Sequence, residues 1–358
     1  MVKAKILKFF VAEVFEKMGC YRADAEQAAD ILVRAELRGI NTHGVVRLIE
    51  YFNLWKNNRV KVKPDIKILY ETLSTALIDG DKGFGLIVAP RAMKLAIEKA
   101  KKAGTGWVSV RNSYHYGIAG YYAMMALEKN MIGISMTNAN PLVAPTYSKK
   151  PFLGTNPIAV AIPAGKEFPF VADFATAPIS RGKLDKLYEN DEKAPEGLLQ
   201  DRNGKDTTYT NILTEGGSIK TLGGDKDHGG HKGYCLSAMV DILSAVLSGA
   251  NFGPLVVPTL SYLPNSDEKE DKGIGHFFGA IRIDAFRPAD EFKDYMDSWI
   301  REFRKAKPID SQEAVLVPGD PERLSEERIS KTGIEIPNNI KEQLNTIAGN
   351  FNIKALFF

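Results

Sequence analysis

The chain has 358 residues, 44% hydrophobic and 25% charged, enough for two or three domains or one large one in a soluble globular protein. Its 47 basic and 44 acidic residues leave a net charge of +3, which offers no electrostatic basis for binding nucleic acid or an anionic membrane surface. The two cysteines, Cys20 and Cys235, show no metal-type spacing and fit a reducing, cytoplasmic setting, and no apolar run approaches the ~18 residues of a membrane span.

The first 58 residues have helical periodicity. "MVKAKILKFFVAEVFEKMG" is interrupted by Glu13, Glu16 and Lys17 and lacks a small-residue cleavage site, so it reads as a helix over 3–18 ended by Gly19, not as a signal peptide. Asp24 is placed to cap a second helix over 25–38, and a third is expected over 43–57. Short β-rich runs follow, bounded by Pro64, Gly80 and Gly83. A helix over 88–102, a strand at "GWVSVRNS", a helix over 117–130 and strands at 132–139, 158–164 and 168–175 come next. Strands alternating with helices imply a sheet covered by helices. Residues 185–230 are polar and rich in Gly, Asp and Lys, and read as a long irregular excursion with an Asn203-Gly204 turn. Residues 231–250 form the most apolar helix, 275–286 a late strand, and 289–306 and 338–347 terminal helices.

Most standard motifs fail. Gly83-Phe84-Gly85 and Gly273-Ile274-Gly275 lack the third glycine of G-x-G-x-x-G, so the phosphate-binding turn of a Rossmann unit is missing. In "GDKDHGGHKG", Gly230 stands where a P-loop needs lysine. His228 and His231 have no carboxylate or thiolate near them in a ligand-like pattern, so no metal site is expected. What remains is a set of polar residues in glycine-rich turns. Four of the five histidines stand beside glycine, which permits close approach of a ligand. Taken singly, each histidine reads first as part of a capped turn or as a satisfied core side chain.

The pair His43 and Arg47 has more definite chemistry. Four residues apart, they share one face if the segment is helical. Arginine offers a planar fork for a carboxylate, and histidine can exchange the proton of a secondary alcohol near neutral pH. Gly44 would leave that face open to a substrate. The alternative is a helix N-terminus capped by Asn41 or Thr42, with His43 a bystander.

Six stretches in order carry a resemblance: "NTHGVVRL", "SYHYGIAGYYAMMALEKNMIGISMTNANPLVAPT", "LGTNPIAVAIP", "DFATAPISRGK", "GGHKGYCLSAMVDILSAVLSGA" and "GHFFGAI". Over about residues 5–345 the chain resembles the malate/L-lactate dehydrogenase family of the second, non-Rossmann type. That family includes sulfolactate and ureidoglycolate dehydrogenases, diketogulonate reductase and cyclic imino-acid reductases. The resemblance implies an α+β fold. A helical domain would be built from residues 1–70 and completed by 288–358, and a mixed-sheet cofactor and substrate domain by 71–287. It also implies a homodimer, NAD or NADP as cofactor, and a small 2-hydroxy or 2-oxo acid as substrate, malate/oxaloacetate first. Reductases of sugar-derived oxo acids or cyclic imino acids, and a non-catalytic ligand-binding homologue, are the other readings.

The resemblance assigns roles by position. His43 becomes the acid/base, with Arg47 and His115 beside it, and Thr155 and Asn156 face the substrate. Cofactor contacts are expected from Asn138, from Asp173, Phe174, Ala175, Thr176 and Ala177, and from Arg181, His231, Lys232 and Gly319. The family often has a serine where this chain has Ala177, which removes a hydroxyl. Lys232 is placed to meet a phosphate together with helix N-terminal amides.

Overall fold

A computed structural model describes residues 1–257 and 271–356. The ranges 71–287 and 288–358 given above therefore include residues 258–270 and 357–358, which lie outside the described residues.

Helix α1 (Ala4–Met18) buries Leu7, Phe10, Val11, Val14, Phe15 and Met18, one stripe at helical spacing. Gly19 ends it in the left-handed region, where its amide closes on the Glu16 carbonyl at 2.9 Å. Helix α2 (Arg22–Leu37) starts before Asp24, whose carboxylate pairs with Arg91 at 2.8 Å and is not a cap. The expected third helix is shorter: a single turn at Asn41–His43 and then α3 (Arg47–Lys56).

Strands β1 (Lys67–Glu71) and β2 (Thr75–Gly83) lead into α4 (Gly85–Ala103), which crosses over to β3 (Thr105–Ser113), parallel to β2. Helix α5 (Ala119–Met124) is a fragment of the expected 117–130 helix. Strands β4 (Met131–Thr137), β5 (Ile158–Ile162) and β6 (Phe170–Phe174) follow. Burial alternates along β4, so one face meets the helices.

The 185–230 stretch is less irregular than its composition suggests. It takes in the end of α6 (Arg181–Glu189) and a miniature sheet of β7 (Leu199–Gln200), β8 (Asp206–Thr207) and β9 (Ser218–Ile219). Asn203-Gly204 lies in the turn between antiparallel β7 and β8, as expected. Leu184, Ala194, Leu199, Ile212 and Ile219 make a satellite core with Leu142, Val143, Leu153, Ala177 and Ile179. Sparse apolar residues suffice because each is buried.

Helix α7 (Gly230–Asp241) widens into a π turn at Ile242–Val246. Strand β10 (Ile274–Arg282) inserts between β3 and β4, giving a seven-stranded mixed sheet of order β1-β2-β3-β10-β4-β5-β6. Helices α8 (Ala289–Arg304), α9 (Asp320–Thr332) and α10 (Asn338–Asn350) complete the chain. Helix α9 is not among the expected elements, yet Asp320-Pro321-Glu322 is a helix-start signal, with proline and acid in the first turn. Phe52 and Trp55 of α3 pack on Phe351, and Val2 bridges to Ile334, so the two ends of the chain close together. Among the described residues, no helix is long and apolar enough to cross a membrane.

Candidate active site

The turn carrying His43 is held by a neighbouring helix. Gly44, with ψ near −143°, interrupts the helical path, so His43 and Arg47 do not share one continuous helix. They meet differently: Arg47 Nε donates to the Thr42 carbonyl at 2.7 Å, and its Nη1 to Glu50 at 2.9 Å. Nor does Gly44 clear a path for substrate. A Cβ there would lie 2.0 Å from Glu36 Oε1, so the glycine makes room for that carboxylate.

The ring of His43 stacks on His115 with centroids 5.5 Å apart. His115 follows β3, and the carbonyls of Tyr114 and His115 press on Gly85 at the start of α4, where a Cβ would come within 2.2 Å of the Tyr114 oxygen. The Gly83-Phe84-Gly85 stretch thus packs on the His115 turn. His43 Nδ1 is bonded to Thr42 Oγ1 at 3.0 Å, leaving Nε2 as the outward nitrogen. His115 Nδ1 lies 2.7 Å from the hydroxyl of fully buried Tyr51 and receives the Gly117 amide at 3.4 Å. Two groups that can donate to Nδ1 favour the tautomer with its proton on Nε2. Tyr51 escaped the sequence reading because it looks like one more apolar-face residue of α3; nothing local marks its hydroxyl.

Both rings are held neutral. Burial, then the Arg47 charge and His115, depress the His43 pKa well below its ordinary value, and burial and Arg47 push His115 down to about 3. His276, also flanked by glycine, is different. It is fully buried, bonded to Thr137 and Ser113 and stacked on Tyr116, a satisfied core histidine.

Arg181 opens α6 and lies 3.4 Å from Asp185. The Asp185 carboxyl is raised by burial and lowered by both Arg181 and Arg47, so the two guanidiniums act on one small region. The same helix abuts the His43 turn: a Cβ on Gly182 would lie 2.7 Å from Thr42 Cγ2.

The segment 173–182 therefore runs to the histidine turn, and its other end enters a second corner. Thr176 gives its amide to the Thr155 carbonyl at 2.9 Å and its hydroxyl to the Asn156 carbonyl at 3.0 Å. Its own carbonyl accepts the Leu222 amide at 3.1 Å. Gly230 and Gly233 lie so near the 222–224 backbone that a Cβ would come within 2.0 Å of the Gly224 oxygen or 2.1 Å of the Leu222 oxygen. The first turn of α7 has no side-chain cap and presents His231 and Lys232 to solvent. The expected stretches 155–156, 173–177 and 231–232 thus converge in one backbone-lined corner.

Several of the expected contact residues make side-chain bonds within the protein. Asn138 is 1% exposed, and its amide is committed to Asp241, the Asn251 carbonyl and the Gly275 amide. Asn156 spends its side chain on the Ala139 amide and the Ser237 carbonyl, leaving Thr155 as the more open member of the pair. The Thr176 hydroxyl is buried, and Ala177 faces the satellite core. Asp173 caps the start of α5 by accepting the Gly120 amide at 2.7 Å, and burial raises it to about 6. Phe174 is exposed and Ala175 half-buried. Gly319 lies against Val171 on β6, where the Pro318 carbonyl accepts the Val171 amide at 3.0 Å.

Residues 2–345 match the malate/L-lactate dehydrogenase family. The chain belongs to that family. It is 45% identical to a malate dehydrogenase of Pyrococcus abyssi over 97% of this chain and 94% of that protein. It is 38% identical to an L-sulfolactate dehydrogenase of Methanocaldococcus jannaschii over 99% and 98% of the two chains. The structure of a malate dehydrogenase from Pyrococcus horikoshii OT3 superimposes with a TM-score of 0.90 at 42% identity, covering 99% of this chain and 96% of that one. As a malate/L-lactate dehydrogenase family member the protein is an oxidoreductase, and the missing Rossmann turn and the mixed sheet are properties of its α+β fold.

Proposed function

We propose that the protein is an NAD(P)-dependent 2-hydroxyacid dehydrogenase whose best substrate pair is malate and oxaloacetate. The observation that carries this reading is the stacked, neutral His43–His115 pair beside the Arg47 guanidinium, with Arg181 acting on the same region. The residues fit a dinucleotide. Backbones at 155–156, 173–177 and 222–224 close on the N-terminus of α7, where the exposed Lys232 and His231 side chains suit phosphate oxygens. A bound nicotinamide supplies or accepts the hydride at substrate C2.

Arg47 holds the carboxylate next to C2. His115 Nε2–H donates to the substrate oxygen. His43 Nε2 takes the hydroxyl proton during oxidation and returns it during reduction. A carboxylate on Arg47 offsets the cation that helps hold His43 neutral, and so raises His43 toward the range where it can act as an acid. Malate and sulfolactate, the substrates named for the relatives, both carry a second anionic group. A buried second charge needs a partner, and Arg181 is placed to be one.

With NADH and NADPH offered in parallel, kcat/KM for oxaloacetate is expected to exceed that for pyruvate and for a cyclic imino acid, because a filled second anion site adds transition-state binding. A higher value for either competitor removes the malate assignment and keeps the dehydrogenase. Absence of turnover with every 2-oxo acid favours a ligand-binding homologue.

The reading includes a cytoplasmic homodimer. Met239, Ile242, Val246 and Leu247 stand at least half exposed along α7 and its π turn, a run of apolar side chains that suits a subunit interface. Light scattering is expected to give twice the chain mass; a monomer would remove this part. The helical unit of residues 1–70 and 288–358 is supported by the Phe52–Trp55–Phe351 cluster, and common hydrogen-exchange protection of both segments would test it.

A further inference from the structure

We propose that Glu36 is the positioning residue for His43: one buried carboxylate fastens both ends of the Thr42-His43-Gly44 turn to helix α2. Its Oε2 accepts the Asn41 side-chain amide at 2.7 Å, and its Oε1 accepts the Val45 backbone amide at 2.8 Å. The donors come from either side of the tripeptide, so the imidazole sits at the apex of a clamped loop. The clamp closes only because residue 44 is glycine, since a Cβ there would lie 2.0 Å from Glu36 Oε1.

Three features separate this from an ordinary helix contact. Glu36 is 2% exposed, and among the described residues no cation pairs with it; its partners are the Val45 and Asn41 amides. A carboxylate without a cation in such a place is costly, and burial raises its pKa to about 7. An apolar residue would pack there at lower cost but would leave the Asn41 and Val45 donors unpaired. The turn also has no cap of its own: no side chain bonds the start of Asn41–His43 or of α3. Finally, Arg47 bonds the Thr42 carbonyl on the same turn. Movement of the turn therefore displaces the imidazole and the guanidinium together.

This inference rests on the reading of His43 as acid/base, and the test separates the two. Steady-state kinetics with oxaloacetate are compared for wild type, Glu36→Ala, Glu36→Gln, Gly44→Ala and the Glu36→Ala/Gly44→Ala double variant. Glu36→Ala and Gly44→Ala are each expected to lower kcat about 10- to 100-fold, the scale of an ångström of misplacement, with KM for NAD(P)H unchanged. Glu36→Gln, which keeps one acceptor oxygen, should recover part of the loss. The double variant should match Glu36→Ala alone, because the glycine serves the carboxylate. Histidine-selective ¹⁵N NMR without substrate supplies the second readout: His43 ring signals shift or broaden in Glu36→Ala and Glu36→Gln while those of His276 stay. If wild type reduces no 2-oxo acid, the catalytic reading falls and the NMR comparison still decides the clamp. Unmoved His43 signals, or a folded Glu36 variant with wild-type kcat, overturn the proposal. If Glu36→Ala does not fold, Glu36→Gln carries the test.

Discussion

Replacing His43 with alanine is expected to lower kcat for oxaloacetate reduction by about 10²- to 10⁴-fold, the usual cost of losing a positioned acid–base group. Its Nδ1 is occupied by Thr42 and its ring lies on His115, so only Nε2 is free to exchange a proton. The effect should fall on kcat, with cofactor affinity retained, because the corner formed by 155–156, 173–177 and α7 is built from other residues. Lys232→Ala should show the converse. Lys232 is exposed in the first turn of α7, and loss of one charge-assisted bond to phosphate raises KM for NAD(P)H about 10-fold while kcat holds. Cofactor titration by fluorescence with steady-state kinetics on both variants checks the crossed pattern. Near-normal turnover in His43→Ala removes His43 from the mechanism, and an unchanged cofactor KM in Lys232→Ala removes the phosphate contact.

The second large effect is expected from Arg47→Lys, which keeps the charge and loses the fork. Arg47 already spends Nε on the Thr42 carbonyl and Nη1 on Glu50, both inside the turn that presents His43. Its planar head can do this and still offer an edge to a carboxylate; a lysine ammonium is a point charge and cannot replace the fixed geometry. We expect kcat/KM for oxaloacetate to fall about 10- to 100-fold, the equivalent of one charged hydrogen bond, with part of the loss in KM because the carboxylate is held in the ground state as well. Pyruvate should suffer similarly, since the carboxylate beside the reacting carbon is common to both. A lysine variant within twofold of wild type for both substrates, the discrimination limit against that scale, would mean that another group binds this carboxylate.

The family, most of the elements and the three catalytic candidates were legible in the sequence. Periodicity located α1, α4, β2 and β4 because each has one buried face, and burial of that face is local in its cause. His43, Arg47 and His115 were singled out by the ordered motifs that carry the family resemblance, since each histidine alone reads as a turn or core side chain. Periodicity failed where stability comes from elsewhere. The 185–230 stretch looks unstructured because its satellite core is shared with residues 142–153 and 177–179. Helix α9 was missed although proline and acids mark its start.

What each polar side chain bonds was visible only in the tertiary structure. Asn138 and Asn156 have the same amide as any cofactor ligand, but both are buried and bonded to neighbours far along the chain. Tyr51 reads as core until its hydroxyl is found on His115. Gly44 suggested an opening for substrate, and it is instead the space taken by Glu36 from another helix. A sequence gives the chemistry each side chain can offer. Whether that capacity faces a ligand or is spent inside the protein depends on which distant groups the fold brings within about 3 Å, the range of a hydrogen bond.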